Sequence, residues 1–312
     1  MAFDSYAASY WLRRRLGLTE VRREKLVLTA KRLGDITWAV VRHRMGGPGL
    51  AILIFFVTVA LLAPWLPLPP PDYKGFPARL DPSWEHPFGT DNNGKDLLSR
   101  VVWGSRVSLL AGFLASVIAA VLGTVVGLVS GFWSGWRDQV LMRLNDVFLS
   151  LPWLVLLIVL AGVLGGTLNL DVIILVIGIT SWNFTARVVR AQVLSVKERV
   201  FVERARAAGA SNAAILRKHI FPNVFPLVFA NTILTVAVAI LSESTLAFLG
   251  KVDPRVLSWG VILHEAEQSS AALNGWWAWI MMPGLALVTV IFGFSLLGYA
   301  LDEILNPRLR ER

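Results

Sequence analysis

Long runs without a charged residue constrain this chain more than any other feature of its sequence. The hydrocarbon core of a bilayer is about 30 Å thick and a helix rises about 1.5 Å per residue, so about 20 mainly apolar residues span it. Five runs of 24 to 34 residues exceed this length. They cover residues 45–71, 107–136, 147–170, 219–242 and 268–301. The sequence therefore predicts an all-α integral membrane protein.

A sixth run, residues 172–186, contains only 15 uncharged residues. We expect it to be a span as well, because the long side chains of Arg187 and Arg190 can reach an interface and so extend the helix. Six transmembrane helices place both termini on one side of the membrane.

The distribution of Lys and Arg predicts the orientation. With six spans, 23 of the 30 basic residues lie on the side of the termini and seven lie on the other side. Cytoplasmic segments carry the excess of Lys and Arg, so both termini are predicted to be cytoplasmic. The net charge of +9 then reflects membrane topology and does not indicate nucleic-acid binding.

The polar segments define the expected organisation. Residues 1–44 are predicted to form a basic, amphipathic cytoplasmic segment, which lies against anionic headgroups or docks a partner. Residues 45–309 form the transmembrane domain, followed by a short tail at 310–312. Outer loops are expected at about 69–104 and 251–276.

The cytoplasmic loop at about 196–222 has the pattern of two helices joined by a tight turn. An Ala- and Arg-rich stretch predicts a helix up to Ala208, which Gly209 closes in the left-handed conformation. Ser211 is a favourable N-cap for a second short helix, which we expect to end at Pro222. A DNA-binding helix-turn-helix is disfavoured, because the tethered segment is too short for a separate core. A plain connector between two spans stays open on pattern alone.

The same loop resembles the cytoplasmic motif of binding-protein-dependent ABC importer permeases. That motif reads Glu-Ala-Ala, three residues, Gly, a spacer and an apolar stretch ending in Pro, with Arg204 here replacing the first Ala. The resemblance implies a coupling helix that sits in a cleft of an ATPase subunit. The residues it assigns to ATPase coupling are Glu203, Arg204, Ala205, Gly209, Ala210, Ser211, Ile220 and Pro222.

Further motifs are similar to the second, C-type permease subunit of dipeptide, oligopeptide and nickel importers. They include HPFGTDNNGKDLLSRVVWGSRVSL at 86–109, GWRDQVLMRLNDVFLSLP at 135–152, LSESTLAFLG at 241–250 and LDEILNPR at 301–308. The resemblance covers about residues 45–309 and implies a type I ABC importer permease-like bundle.

Residues 89–95 have the spacing of a phosphate-binding P-loop, but two features oppose this interpretation. Asp96 stands where Ser or Thr must ligate magnesium, and no strand precedes the loop. We interpret the segment as a turn that packs against the mouth of the pathway or against a delivery protein. The candidate contacts are Gly89, Thr90, Asp91, Gly94 and Asp96.

Other site chemistry is sparse in this sequence. The chain has no Cys, and its four His residues fall in separate segments, so neither a thiol site nor a metal site is predicted. Glu243 is the acidic residue within an otherwise apolar span. Since a charge in a bilayer faces protein or water, Glu243 either lines a pathway with Ser242 and Asn231 or is a structural carboxylate.

The resemblance implies a non-catalytic permease subunit that forms half of a translocation pathway for peptides. The implied partners are a homologous second permease subunit, two ABC ATPase subunits, an extracytoplasmic solute-binding protein and membrane lipid, with no nucleic acid. No cofactor is expected in this chain, since ATP and magnesium belong to the ATPase subunits. The implied location is the plasma (inner) membrane of a prokaryote.

Two alternatives remain for the cargo and one for the mechanism. Nickel chelates and oligosaccharides stay open, because selectivity in this family resides largely in the binding protein. An ion-coupled secondary transporter is a remote alternative, since it requires acidic or His side chains along several spans and broken helices in repeated halves.

Overall fold

The computed structural model describes residues 34–305, which form helices and connecting loops with isolated bridges and no extended strand. Residues 34–42 are helical. The helices that follow are α1 (Gly46–Leu62), α2 (Leu97–Trp133), α3 (Gly135–Ser150), α4 (Trp153–Val163), α5 (Leu170–Thr180), α6 (Trp182–Lys197), α7 (Val200–Ala207), α8 (Asn212–Ile215), α9 (Phe221–Phe248), α10 (Trp259–Gln268) and α11 (Trp277–Leu305). A 3-10 turn, Ala63–Trp65, follows α1, and a π turn, Leu216–Ile220, joins α8 to α9. The prediction for the N-terminal segment concerns mostly residues 1–33, and the predicted tail is also outside the described residues.

Five helical stretches of the described chain are long and apolar enough to cross a membrane, and one bent helix pair adds a sixth. The five are Gly46–Trp65, Leu97–Trp133, Leu170–Lys197, Asn212–Phe248 and Trp277–Leu305. The bent pair consists of α3 and α4. The predicted all-α membrane fold is thus confirmed, and the number of spans reaches the predicted six if the bent pair counts as the third span.

The third span differs from the continuous helix that the uncharged run over 147–170 predicts. α3 and α4 meet at a bend of 90° around Leu151 and Pro152. The residue before a proline is disfavoured in the helical region, and Leu151 is extended at φ −83° and ψ 133°. The remaining 11 residues of α4 extend about 16 Å, roughly half of a hydrocarbon core.

The fourth span is longer than its uncharged run. α5 and α6 follow each other across Ser181 to form a stretch of 28 residues. Arg187 and Arg190 lie within this stretch, where each binds a carboxylate of α3. The sequence predicts that these arginines reach an interface, but it does not predict their acidic partners.

The central helix, α2, packs most extensively against α6 through a face of small residues. Gly123, Gly127 and Gly131 recur at every fourth position on this face. A Cβ added to Gly127 would lie 2.6 Å from the carbonyl oxygen of Ala186 and from Cβ of Val189. Lipid tails are as apolar as the side chains, so helices in a membrane associate through close backbone approach at small residues.

The rest of the bundle surrounds this central pair. One apolar core joins α1, α2, α9, α10 and α11, and includes Trp259, which is fully buried. A second apolar core joins α4 and α5 to α2 and α9. These two cores place α9 beside α2 along much of its length, which positions the middle of α9 for the site described below.

The α2–α6 contact predicts a specific cost for added volume. Gly127→Ala should lower the free energy of unfolding by about 1–3 kcal/mol, since the new methyl group overlaps a backbone carbonyl. Gly284→Ala is the matched control, because its added Cβ meets no heavy atom within 4 Å and Ala is favoured in helices. Thermal unfolding of the purified protein in detergent measures both. Equal melting temperatures for the two variants would contradict the close contact.

Candidate functional site

The polar loop between α6 and α9 contains two short helices joined by a tight turn. α7 ends at Ala207, and Gly209 has a φ of +80°, a conformation that glycine adopts without steric cost. The Ser211 hydroxyl accepts a hydrogen bond from the backbone amide of Ala214, at 3.3 Å, as the N-cap of α8. The local geometry predicted around Gly209 and Ser211 is therefore present.

A small apolar core fixes this loop to two of the spans. It consists of Val189, Val193 and Val196 of α6, Val202 of α7, Ile215 of α8, Ile220 of the π turn, and Val224 and Val228 of α9. All are fully buried except Val228, which is 8% exposed. Because packed interiors resist deformation, the loop and the adjoining ends of α6 and α9 form one mechanical unit.

The residues predicted to couple to an ATPase divide into two sets in the structure. Ala205, Ala210 and Ile220 pack into or against the apolar core. The exposed members are Glu203, Arg204, Gly209, Ser211 and Pro222. Arg204, which replaces the alanine of the motif, faces outward, so the substitution removes no core contact.

The predicted end of the second short helix at Pro222 is wrong. α8 continues through the π turn into α9, so residues 212–248 form one helical stretch. Pro222 lies directly after the π turn, which departs from the regular α-helical hydrogen-bond pattern at the point where proline provides no N–H. The Asn223 side-chain amide donates to the His219 carbonyl at 2.7 Å and satisfies a neighbouring acceptor.

A cleft of about 440 Å³ opens where three elements converge. Its walls are the α3–α4 bend, the α5–α6 junction and the middle of α9. Asn231 lies at the middle of the 37-residue stretch Asn212–Phe248, and Thr180 lies ten residues, about 15 Å, from the start of the 28-residue stretch Leu170–Lys197. The cleft is therefore near the middle of a hydrocarbon core about 30 Å thick.

Polar atoms around this cleft lack partners within residues 34–305. They are the Asn183 side-chain oxygen, the Ser181 hydroxyl and the Trp153 indole nitrogen. Asn231 also lines the cleft, and its amide donates to the Thr185 hydroxyl at 2.7 Å. Apolar walls with a few polar groups are typical of ligand sites, and irregular backbone within a membrane is tolerated where it lines a cavity.

Sequence reasoning identified Asn231 as a pathway candidate but missed Trp153, Ser181 and Asn183. Two local signals mark these residues. Pro152 interrupts an apolar run, and the polar residues Thr180, Ser181 and Asn183 interrupt the next one. Their convergence with α9 depends on tertiary packing, which neither signal contains.

Glu243 and Ser242 lie away from the cleft and are buried by the chain itself. The Glu243 carboxylate accepts hydrogen bonds from the Ser244 hydroxyl at 3.2 Å and the Ser108 hydroxyl at 3.4 Å, and Glu243 is 0% exposed. The Ser242 hydroxyl donates to the Val238 carbonyl. These contacts favour the interpretation of Glu243 as a structural carboxylate.

The candidate contacts of the first outer loop are turned into the protein. Gly89 and Gly94 have φ values of +78° and +73°, and Thr90, Asp91 and Asp96 are 4%, 0% and 4% exposed. Asp96 caps α2 by accepting from the Ser99 amide at 2.7 Å and also pairs with the His86 ring at 2.8 Å. These buried side chains stabilise the loop from inside, and other residues of the loop form its exposed surface.

A buried ion pair joins this loop to α2. The Arg100 guanidinium donates to the Asp91 carboxylate at 2.9 Å, and both side chains are at least 98% buried. Arg100 also pairs with Glu265 of α10, which ties the first outer loop to the second. The Asn92 amide adds a hydrogen bond to the Ser269 hydroxyl at 2.9 Å.

Comparisons with known proteins agree with this architecture. The family model described as binding-protein-dependent transport system inner membrane component matches residues 123–311. A putative peptide transport system permease protein of Brucella abortus is 35% identical over 297 residues, covering 94% of this chain and 95% of the relative. The dipeptide transport system permease protein DppC of Bacillus subtilis is 33% identical over 271 residues, covering 86% and 83%.

A solved structure supports the fold alone. A chain of the MetNI methionine ABC transporter, in an inward-facing conformation, matches with a TM-score of 0.53 and 19% identity. The match covers 67% of this chain and 96% of that one.

The ion pair of the outer loop predicts a large effect of a single truncation. Arg100→Ala should destabilise the protein by about 3–5 kcal/mol, because it leaves the buried Asp91 carboxylate without a countercharge. Arg106→Ala, an exposed arginine on the same helix that is outside the described ion pairs, should change stability little. Thermal unfolding in detergent compares them. An Arg100→Ala variant as stable as Arg106→Ala would show that the pair is not a structural tie.

Proposed function

Because this chain belongs to the family of binding-protein-dependent transport system inner membrane components, we propose that it forms half of the translocation pathway of an ATP-driven importer. A homologous permease subunit supplies the other half, and two ABC ATPase subunits bind at the loop between α6 and α9. A solute-binding protein delivers the cargo to the opposite face. The complex resides in the plasma (inner) membrane of a prokaryote, with both termini of this chain in the cytoplasm.

One observation carries this proposal. The mid-bundle cleft and the exposed loop are connected by continuous packing, since α6 and α9 contribute walls to the cleft and also enclose the apolar core of the loop. A displacement of the loop therefore reaches the cleft without passing through a flexible segment. An importer driven by an external ATPase requires this connection.

The exposed residues of the loop are suited to a protein partner. Glu203, Arg204 and Ser211 present charged and hydrogen-bonding groups at the surface. Ala205, Ala210 and Ile220 pack into or against the apolar core beneath them. ATP can shift the permease between conformations only if the ATPase pair binds one of them better than the other. We assign this differential contact to the exposed set, with ATP and magnesium held by the ATPase subunits.

Peptides are the proposed cargo. The relatives from Brucella abortus and Bacillus subtilis are described as peptide and dipeptide permeases. The cleft is lined mainly by apolar side chains with a few amide and hydroxyl residues, and no ionisable side chain lines it. A lining without charge places no requirement on the charge of the peptide's side chains.

Changes in the loop should separate ATP hydrolysis from import. Gly209→Pro cannot adopt the φ of +80°, and Glu203→Lys reverses an exposed charge on α7, so each should reduce peptide uptake about tenfold or more. Uptake and ATP hydrolysis are measured with the complete importer in proteoliposomes. Glu267→Lys, at the end of α10 on the predicted outer side, is the matched charge reversal and should retain uptake. Normal uptake by both loop variants would refute the assignment of the ATPase contact.

Filling the cleft should block import without affecting assembly. Val238 lines the cleft and is 46% exposed, so Val238→Trp places an indole in the pathway. Val288→Trp on α11 is the control, since Val288 is 63% exposed but does not line the cleft. We expect Val238→Trp to assemble with its partners and to lose peptide uptake. Equal uptake by the two variants would exclude the cleft from the pathway.

A further inference from the structure

α3 makes fewer apolar contacts with the bundle than the other helices that form the walls of the cleft. Its only buried residue is Asn145, and it contributes to none of the three apolar cores. Its outer face carries an apolar stripe, formed by Trp136, Val140, Leu144 and Val147, which is exposed in this chain. Apart from an edge-to-face contact between Phe148 of α3 and Trp182 of α6, the position of α3 beside α6 therefore depends on polar contacts.

Three polar contacts join α3 to α6. The Arg190 guanidinium donates two hydrogen bonds to the Asp138 carboxylate, each of 2.6 Å. The Asn145 side-chain amide donates to the Asn183 backbone carbonyl at 2.9 Å. The Arg187 guanidinium donates to the Asp146 carboxylate at 2.5 Å, with both side chains 52% exposed.

The Asp138–Arg190 pair is the strongest of these contacts. It is bidentate, and the Asp138 side chain is only 15% exposed. The Ser130 hydroxyl of α2 also donates to Asp138, so the carboxylate binds α2 and α6 together. Bidentate charge-assisted pairs fix orientation, whereas a pair as exposed as Asp146–Arg187 contributes little.

Through α6 and α3, the Asp138–Arg190 pair is connected to the loop between α6 and α9 and to the cleft. Arg190 lies on α6, and the apolar side of α6 encloses the core of the loop. α7, the first helix of the loop, begins three residues after α6 ends. The far end of α3 supplies Phe148 and Leu149 to the wall of the cleft. The backbone carbonyl of Asn183 accepts the hydrogen bond from Asn145, and Asn183 also lines the cleft.

We infer that the Asp138–Arg190 pair is a strut that transmits displacement of the loop to the α3 wall of the cleft. When the ATPases move the loop, α6 and α9 move with it through their shared apolar core. α3 follows chiefly because Asp138 binds Arg190, the strongest of the contacts between α3 and α6. Both are positioning residues that control the width of the cleft from the cytoplasmic end. This inference rests on the proposed function of the chain as an importer permease.

The test uses the complete importer, with this chain, the second permease, the ATPases and the binding protein, in proteoliposomes. This chain has no cysteine, so Leu149→Cys and Val238→Cys place spin labels on opposite walls of the cleft. The cysteines of the partner subunits are replaced. Peptide imported per ATP hydrolysed is measured with the unlabelled complex that keeps Leu149 and Val238, and the change in label distance that ATP produces is measured with the labelled complex.

The single variants Asp138→Asn and Arg190→Gln should each lower peptide imported per ATP about tenfold, the change expected from losing a charge-assisted hydrogen bond. Each should also alter the ATP-dependent change in label distance relative to the wild type, because α9 still moves with the loop while α3 no longer follows it. The double variant should be no worse than either single variant, because the two residues act through one contact. Arg190→Lys keeps the charge without the bidentate geometry, so its value of peptide imported per ATP should lie between those of the wild type and Arg190→Gln. If a neutral variant does not assemble, Arg190→Lys decides the test.

Arg143→Gln is the matched control on α3. Arg143 is exposed and takes part in none of the described ion pairs, so its removal should leave both measurements unchanged. Additive effects of Asp138→Asn and Arg190→Gln, or a normal label response in either, would overturn the strut. Failure of the wild-type complex to import peptide would instead overturn the proposed function, so the two failures are distinguishable.

Discussion

The apolar contact between the α7–α8 loop and the spans beside it is the constraint on which the proposed mechanism depends. Val202 and Ile215 of the loop are fully buried against α6 and α9. A loop attached only through its chain ends would absorb a push by bending at Gly209. Since packed side chains allow few alternative arrangements, this loop moves with its two spans or does not move.

The sequence predicted the features that depend on neighbouring residues. Hydropathy indicated five of the six predicted spans, because a membrane helix satisfies its own backbone hydrogen bonds, and the other one required the added reach of Arg187 and Arg190. The turn at Gly209 and the cap at Ser211 were likewise predictable, since each depends on the residue's own conformational preference. The role of Pro222 was predicted wrongly, because a proline that ends a helix and a proline that follows a π turn within a helical stretch have similar local sequences.

The cleft and the strut could not be predicted in the same way. The 90° bend between α3 and α4 is indicated by Pro152, but its direction is determined by packing. Arg190 was expected to reach an interface, and its partner Asp138 lies 52 residues earlier in the chain. Pairing at that separation requires the α2–α6 contact, in which small residues bring the neighbouring helices close together.

Buried polar groups beside the cleft support its role as the part of the bundle that rearranges. The Ser181 hydroxyl and the Asn183 side-chain oxygen are buried in the walls of the cleft without a partner among residues 34–305. An unsatisfied polar atom in an apolar medium costs about 2–7 kcal/mol, so the walls are costly in this arrangement. A movement of the walls that exposes these atoms to water or to a peptide backbone removes that cost, which is the property expected of a surface that opens to substrate.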